Sequence, residues 1–255
     1  MDESPASQRS PAGIAAAWLV HAFTATGAVI AILALMAIDR GDWRLAFLWL
    51  GVALVVDGID GSFARWARVK ERAPRIDGTV LDLVIDYLNY VFVPTALIWK
   101  AELVPAGSAW WLAALIQLAS LYVFARADMK TEDHYFRGFP GLWNVVALYL
   151  FAVQPGPGAG AAIVLVFVLL SFAPIHFVHP FRVRDYGFWS PALATFWAAA
   201  TGAMLWPDWP AAVERGLFLA SAASAILLVL LGLVRTLRGP RGTVGTDGEH
   251  GTFLP

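Results

Sequence analysis

Two neighbouring stretches of this chain dictate its architecture, because each is apolar enough to span a membrane and yet carries aspartates at helical spacing. The segment from Asp57 to Asp86 reads DGIDGSFARWARVKERAPRIDGTVLDLVID. On a helix, Asp57, Asp60, Gly61, Ala64 and Arg65 fall at i, i+3, i+4, i+7 and i+8 and share one face. Gly78, Asp82 and Asp86, at i, i+4 and i+8, form a second single-face row on the next segment. Ionisable groups are costly in hydrocarbon, so both rows should face a bundle interior or a wet cavity, and each other.

Composition supports that setting: 59% hydrophobic and 15% charged residues, with no cysteine, describe a polytopic membrane protein without disulfide or thiolate chemistry. Apolar stretches run over Ile14–Ile38, Leu45–Ala64, Val80–Trp99, Ala109–Ala125, Leu142–Val153, Ala161–Val178, Phe188–Trp206 and Ala211–Val234. Each approaches the ~20 residues that a crossing helix needs, which predicts eight spans. With a cytoplasmic amino terminus, only Arg40, Arg44, Lys100 and Arg215 among the basic residues fall outside. The aspartate rows then open toward the cytoplasm. QPGPGAG after Val153 and WPDWP after Leu205 read as turns, and no internal repeat is evident. Residues 1–13 read as a disordered cytoplasmic lead-in without the pattern of a signal peptide, 14–237 as one membrane domain, and 238–255 as a Gly-rich disordered tail.

Four carboxylates converging in a low dielectric cannot all stay ionised without a cation between them. Oxygen ligands without His or Cys favour a hard ion, Mg²⁺ or Mn²⁺. Paired hard cations about 4 Å apart are the apparatus of displacement at phosphorus. Gly61, Ala64 and Gly78 remove bulk where a nucleotide would meet helix backbone, and Arg65 offers phosphate a planar fork. Lys70, Arg72 and Arg75 add positive potential nearby. The competing readings are carboxylates acting as glue between helices or as an ion relay in a coupled transporter. Transporters of that kind often show paired half-repeats and interrupted helices, and neither is evident here.

Asp57-x-x-Asp60-Gly61-x-x-Ala64-Arg65, followed by Gly78-x-x-x-Asp82-x-x-x-Asp86, resembles the signature of the CDP-alcohol phosphotransferases. Ala125–Asn144, ARADMKTEDHYFRGFPGLWN, and His21-x-x-Thr24-Ala25-Thr26-Gly27 look like the bacterial branch of that family that uses choline. The resemblance implies an all-α membrane bundle of about eight helices, a homodimer in the bacterial inner membrane with its active site facing the cytoplasm. It implies that CDP-diacylglycerol and choline give phosphatidylcholine and CMP, with Mn²⁺ or Mg²⁺ required. Lipids, those two substrates and a second copy are the partners it implies; nucleic acid is not.

Carried over by position, the resemblance makes Asp57, Asp60 and Asp82 metal ligands and Asp86 a further ligand or the general base. Gly61, Ala64, Arg65 and Gly78 would contact the CDP portion, with Thr24 lining that pocket. Choline, a quaternary ammonium, calls for aromatic faces beside a carboxylate. Candidates are Tyr90, Tyr122, Tyr135 and Trp143 with Asp128 and Glu132; Tyr87, Phe136 and Asp133 lie in the same stretches. The same chemistry with serine, inositol phosphate or glycerol phosphate is the alternative, although the acidic Asp128–Asp133 stretch disfavours a phosphorylated acceptor. His176 and His179 stand at a ligand-compatible i, i+3 spacing, but HFVHPFRVR reads as a helix end at the headgroups, where Arg182 and Arg184 bind lipid phosphate or set orientation.

Overall fold

The computed structural model describes residues 10–206 and 208–239. Most of the expected lead-in and tail, including Arg9 and Arg241, lies outside the described residues. Among the described residues, ten α-helices account for nearly all regular structure: α1 (Pro11–Asp39), α2 (Trp43–Trp66), α3 (Val69–Arg72), α4 (Gly78–Tyr87), α5 (Val93–Lys100), α6 (Ala109–Ala125), α7 (Trp143–Val153), α8 (Pro157–Leu170), α9 (Trp189–Met204) and α10 (Ala211–Arg238). A π-helical stretch, Leu88–Phe92, joins α4 to α5 into one continuous span. Local signals explain the boundaries nearest the aspartates. The Ser10 side chain accepts from Gly13 N with Pro11 at the first helical position, so α1 begins before Ile14. The Asp77 side chain accepts from Thr79 N and Val80 N, which starts α4 at Gly78 and sets the phase of Asp82 and Asp86. Pro94 has no N–H for the carbonyl of Tyr90, and the chain absorbs that defect in the π turn.

All eight apolar stretches contain helix, but the expected count of eight crossings is not confirmed. Among the described residues, five helical segments are long and apolar enough to cross: Pro11–Asp39, Trp43–Trp66, Gly78–Lys100, Ala106–Ala125 and Ala211–Arg238. The other three helices have 11, 14 and 16 residues. The sixth stretch, expected to run to Val178, leaves the helix after Leu170. Pro174 is the reason, since it has no N–H and biases the preceding residue away from helix.

The residues beyond build what an all-α reading does not foresee. Two two-residue strands, β1 (Phe136–Arg137) and β2 (His176–Phe177), pair antiparallel, with Phe136 opposite Phe177. The α6–α7 and α8–α9 connections thus form one layer, and His176 lies in a strand rather than at a helix end.

The bundle core gathers Leu50, Val91, Leu97, Leu112, Ile116, Trp143 and Val164. Leu219, Ile226, Leu230 and Leu237 of α10 stay exposed, as do Leu118 and Leu121 of α6. Bare apolar faces on helices of this length describe a multi-pass membrane protein.

Candidate active site

α1 packs along α2, and both lie against the span that begins at α4. This arrangement brings the two aspartate rows together. Asp57 of α2 and Asp82 and Asp86 of α4 each offer a carboxylate oxygen within 4.8 Å of the others, and all three are half-buried. Tyr90, buried one turn beyond Asp86, donates its hydroxyl to Asp57 Oδ2 at 2.7 Å. Asp60 is 6% exposed and stands slightly apart: its Oδ2 accepts from Thr24 Oγ1 of α1 at 2.9 Å.

Three carboxylates at this separation repel one another unless a proton or a cation lies among them. The donor set is all oxygen, half-buried and braced by a tyrosine hydroxyl, which fits a hard divalent ion. Asp57, Asp82 and Asp86 would hold it, with Asp60 adjoining.

The remaining signature positions divide by neighbour. Gly78 faces His21, a buried α1 histidine: a methyl group at Gly78 would lie 3.2 Å from its Cε1. Ala64 packs into the small-residue contact of Ala17, Val20 and Ala67 that holds α1 on α2. Arg65 is exposed, donates to Ser62 Oγ at 2.9 Å and reaches back over Gly61. Its guanidinium is therefore solvent-side and movable, whereas Thr24 is held on Asp60.

The acceptor candidates scatter more widely. Trp143 is fully buried in the core and donates its indole N–H to Ser120 Oγ. Tyr135 is also fully buried; its hydroxyl donates to Asp185 Oδ2 at 2.9 Å, and the Arg235 guanidinium lies 5.5 Å from its ring centre. Neither leaves an open face for a headgroup. Tyr122 is exposed, with Phe172 tilted against it at 4.9 Å and Arg126 over its ring. Asp128 makes a two-pronged contact with Arg126 at 2.7 and 2.8 Å, which holds its carboxyl below the usual range, and Glu132 is exposed. Of the six, Tyr90 alone touches an aspartate of the cluster.

The loop layer contributes charges that sequence reasoning did not attach to the site. The charges of Lys130 and Arg182 act on Asp82, and Lys130 also feels Asp86 and Asp57. Lys130 is reached by solvent but surrounded by protein; that enclosure, then Arg182, pushes its ammonium pKa down. Burial, with Lys130 and Arg182 adding to it, drives His179 to about 4, so its ring is neutral near pH 7. No spacing in the sequence connects these residues to Asp82, because the β1–β2 pairing brings them in. A cavity of about 650 Å³ lined by Asp185, Tyr186, Trp189, Leu193, Leu227 and Leu231 lies elsewhere, and none of the four aspartates borders it.

Comparison with known proteins adds an independent line. Residues 17–237 match the family model described as CDP-alcohol phosphatidyltransferase. The chain is 42% identical over 216 residues to the phosphatidylcholine synthase of Pseudomonas aeruginosa, covering 85% of this chain and 90% of that protein. It is 42% identical over 217 residues to the phosphatidylcholine synthase of Bradyrhizobium diazoefficiens, covering 85% and 80%. With that of Borreliella burgdorferi it shares 37% identity over 169 residues, 66% of this chain and 72% of that protein.

Proposed function

This chain belongs to the CDP-alcohol phosphatidyltransferase family, and from that membership we infer that it moves a phosphatidyl group from CDP-diacylglycerol to choline, releasing CMP. The observation that carries the chemistry is the convergence of Asp57, Asp82 and Asp86. The acceptor rests on the relatives' names. A second reading, with serine as acceptor, keeps the same cluster and differs only in the alcohol.

In the proposed mechanism Asp86 takes the proton of the choline hydroxyl as its oxygen attacks the lipid-linked phosphorus. The new O–P bond forms as the bond to CMP breaks, and the proton leaves through the half-open face of the cluster. Tyr90 fixes Asp57 through its hydroxyl. Arg65 swings from Ser62 to the diphosphate, while Gly61, Ala64 and Gly78 keep the approach free of bulk. Mn²⁺ or Mg²⁺, held by Asp57, Asp82 and Asp86 with Asp60 as a fourth ligand, would supply positive charge to the diphosphate and to the departing CMP. The basic loop residues support an inner-membrane enzyme with its cluster at the cytoplasmic face, and the family resemblance supports a homodimer.

Purified protein given CDP-diacylglycerol and labelled choline is expected to form labelled lipid at a rate that rises with added Mn²⁺. CMP release with serine and no labelled lipid from choline would move the assignment to the second reading. Tyr90→Phe separates that residue's two tasks, since it keeps the aromatic face but loses the bond to a charged group, which is worth ~1.5–3 kcal/mol. Turnover should fall about tenfold or more at an unchanged choline KM. A raised KM with normal turnover would show that the hydroxyl acts on choline and not through Asp57.

A further inference from the structure

Among the described residues α10 makes no hydrogen bond or ion pair to the four aspartates, yet its end at Arg235 is stapled to the loop layer by a dense polar network. Arg235, 8% exposed, donates from Nε to Asp133 Oδ2 at 2.7 Å and lies over the Tyr135 ring. The Thr236 hydroxyl accepts from His176 N at 2.7 Å, and the Tyr186 hydroxyl donates to the Leu231 carbonyl at 2.9 Å. Gly232 lets the His176 backbone lie where a side chain would begin. A buried guanidinium is costly in such surroundings unless paired, so this contact holds α10 and the loop in one register.

What the network holds is short and weak alone. Two two-residue strands and a turn with His134 at φ 68° have little stability of their own. Within that turn Thr131 and Tyr135 exchange backbone and hydroxyl bonds, and Asp133 sits between them. Lys130 immediately precedes it. Its backbone bridges Phe136, and its ammonium lies 4.9 Å from the centre of the Phe136 ring, which stacks on His179 at 5.6 Å. At the other end Gly141 sits against Phe124 and Val91, which seats the layer on the span that carries Asp86.

We propose that Arg235 is a positioning residue: through Asp133 and Tyr135 it locks the 131–135 turn, and so holds Lys130 toward the aspartates, where its ammonium meets the substrate diphosphate. This rests on the phosphatidyl-transfer reading above. Lys130 is the group that touches substrate, and Arg235 acts through it alone.

Two measurements test the assignment. The chain has no cysteine, so Glu132→Cys offers a unique thiol for a spin label in the turn. Arg235→Met should mobilise that label, and Arg235→Lys should restore part of the order. Initial rates of purified wild-type, Lys130→Met, Arg235→Met and the double variant, taken against both substrates, then give a mutant cycle. Each single change should lower kcat/KM for CDP-diacylglycerol, Arg235→Met by up to about 100-fold through misplacement, whereas Arg235→Met on the Lys130→Met background should cost less than about threefold. Full additivity, or an unmoved label, would overturn the proposal, since both describe a residue that serves the fold alone. Should choline prove not to be the acceptor, the functional reading fails at the wild-type protein, and the same cycle run on CMP release with the accepted alcohol still decides the role of Arg235.

Discussion

Asp57→Asn and Asp82→Asn are each expected to lower turnover by about 10²- to 10³-fold or more. The two carboxylates come from different helices and meet within 4.8 Å, so each amide leaves the site one negative charge short where a divalent cation has to be held. Added Mn²⁺ should partly recover a site with weakened affinity, and the half-saturating Mn²⁺ concentration should rise in both variants. Asp86→Asn should add a second deficit: as a ligand it too raises the half-saturating Mn²⁺ concentration, and as the proposed base it keeps kcat low at saturating Mn²⁺ while the KM for CDP-diacylglycerol stays within about threefold. The measurement is initial rate against Mn²⁺ and against each substrate in matched preparations. Equal and modest losses in all three variants, with no change in metal dependence, would describe a cluster that merely holds helices together.

A second large effect is expected at a position that carries no charge of its own. Gly27 of α1 faces Ile85 of α4, and its carbonyl accepts from Asn89 Nδ2 at 3.0 Å. A methyl group at position 27 would overlap Ile85 Cγ2, which belongs to a β-branched side chain with little rotamer freedom in a helix. Gly27→Ala therefore drives α1 and α4 apart, at an overpacking cost of about 1–3 kcal/mol. The greater consequence is for catalysis, because Asp82 and Asp86 flank Ile85 on the displaced helix. A shift of the order of 1 Å between reacting groups costs about 100-fold in rate. Thermal stability in detergent and turnover, measured together, check this; Gly202→Ala, which meets nothing within 4 Å, is the control and should leave both unchanged.

The convergence of the two rows was legible because it needs only helical periodicity and the rule that buried charge seeks company. Asp57, Asp82 and Asp86 meet as their spacing requires. The division within the signature was not legible. Thr24 engages Asp60, and Gly78 makes room for His21, because both depend on how α1 lies across its neighbours. Span length misled for a similar reason. The apolar run through Ala161–Val178 looks continuous by hydropathy, yet Pro174 and the pairing of His176–Phe177 with Phe136–Arg137 take its end out of the helix. Strands of two residues have no period to detect. Aromatic residues near a choline-like motif were equally ambiguous: Trp143 and Tyr135 carry the chemistry that a quaternary ammonium prefers, but the same bulk and polar tip make them good core anchors.

The π turn at Leu88–Phe92 has an effect that reaches beyond its five residues. It accommodates one residue more than an α-helix would over the same rise, so the first and second halves of the Gly78–Lys100 span are out of step by roughly a quarter of a rotation. The first half can answer to Asp57 through Asp82 and Asp86, with Tyr90 in the turn itself, while the second half keeps Leu97 and Ile98 in the buried centre of the bundle. Two incompatible angular demands are thereby met by one uninterrupted transmembrane rod.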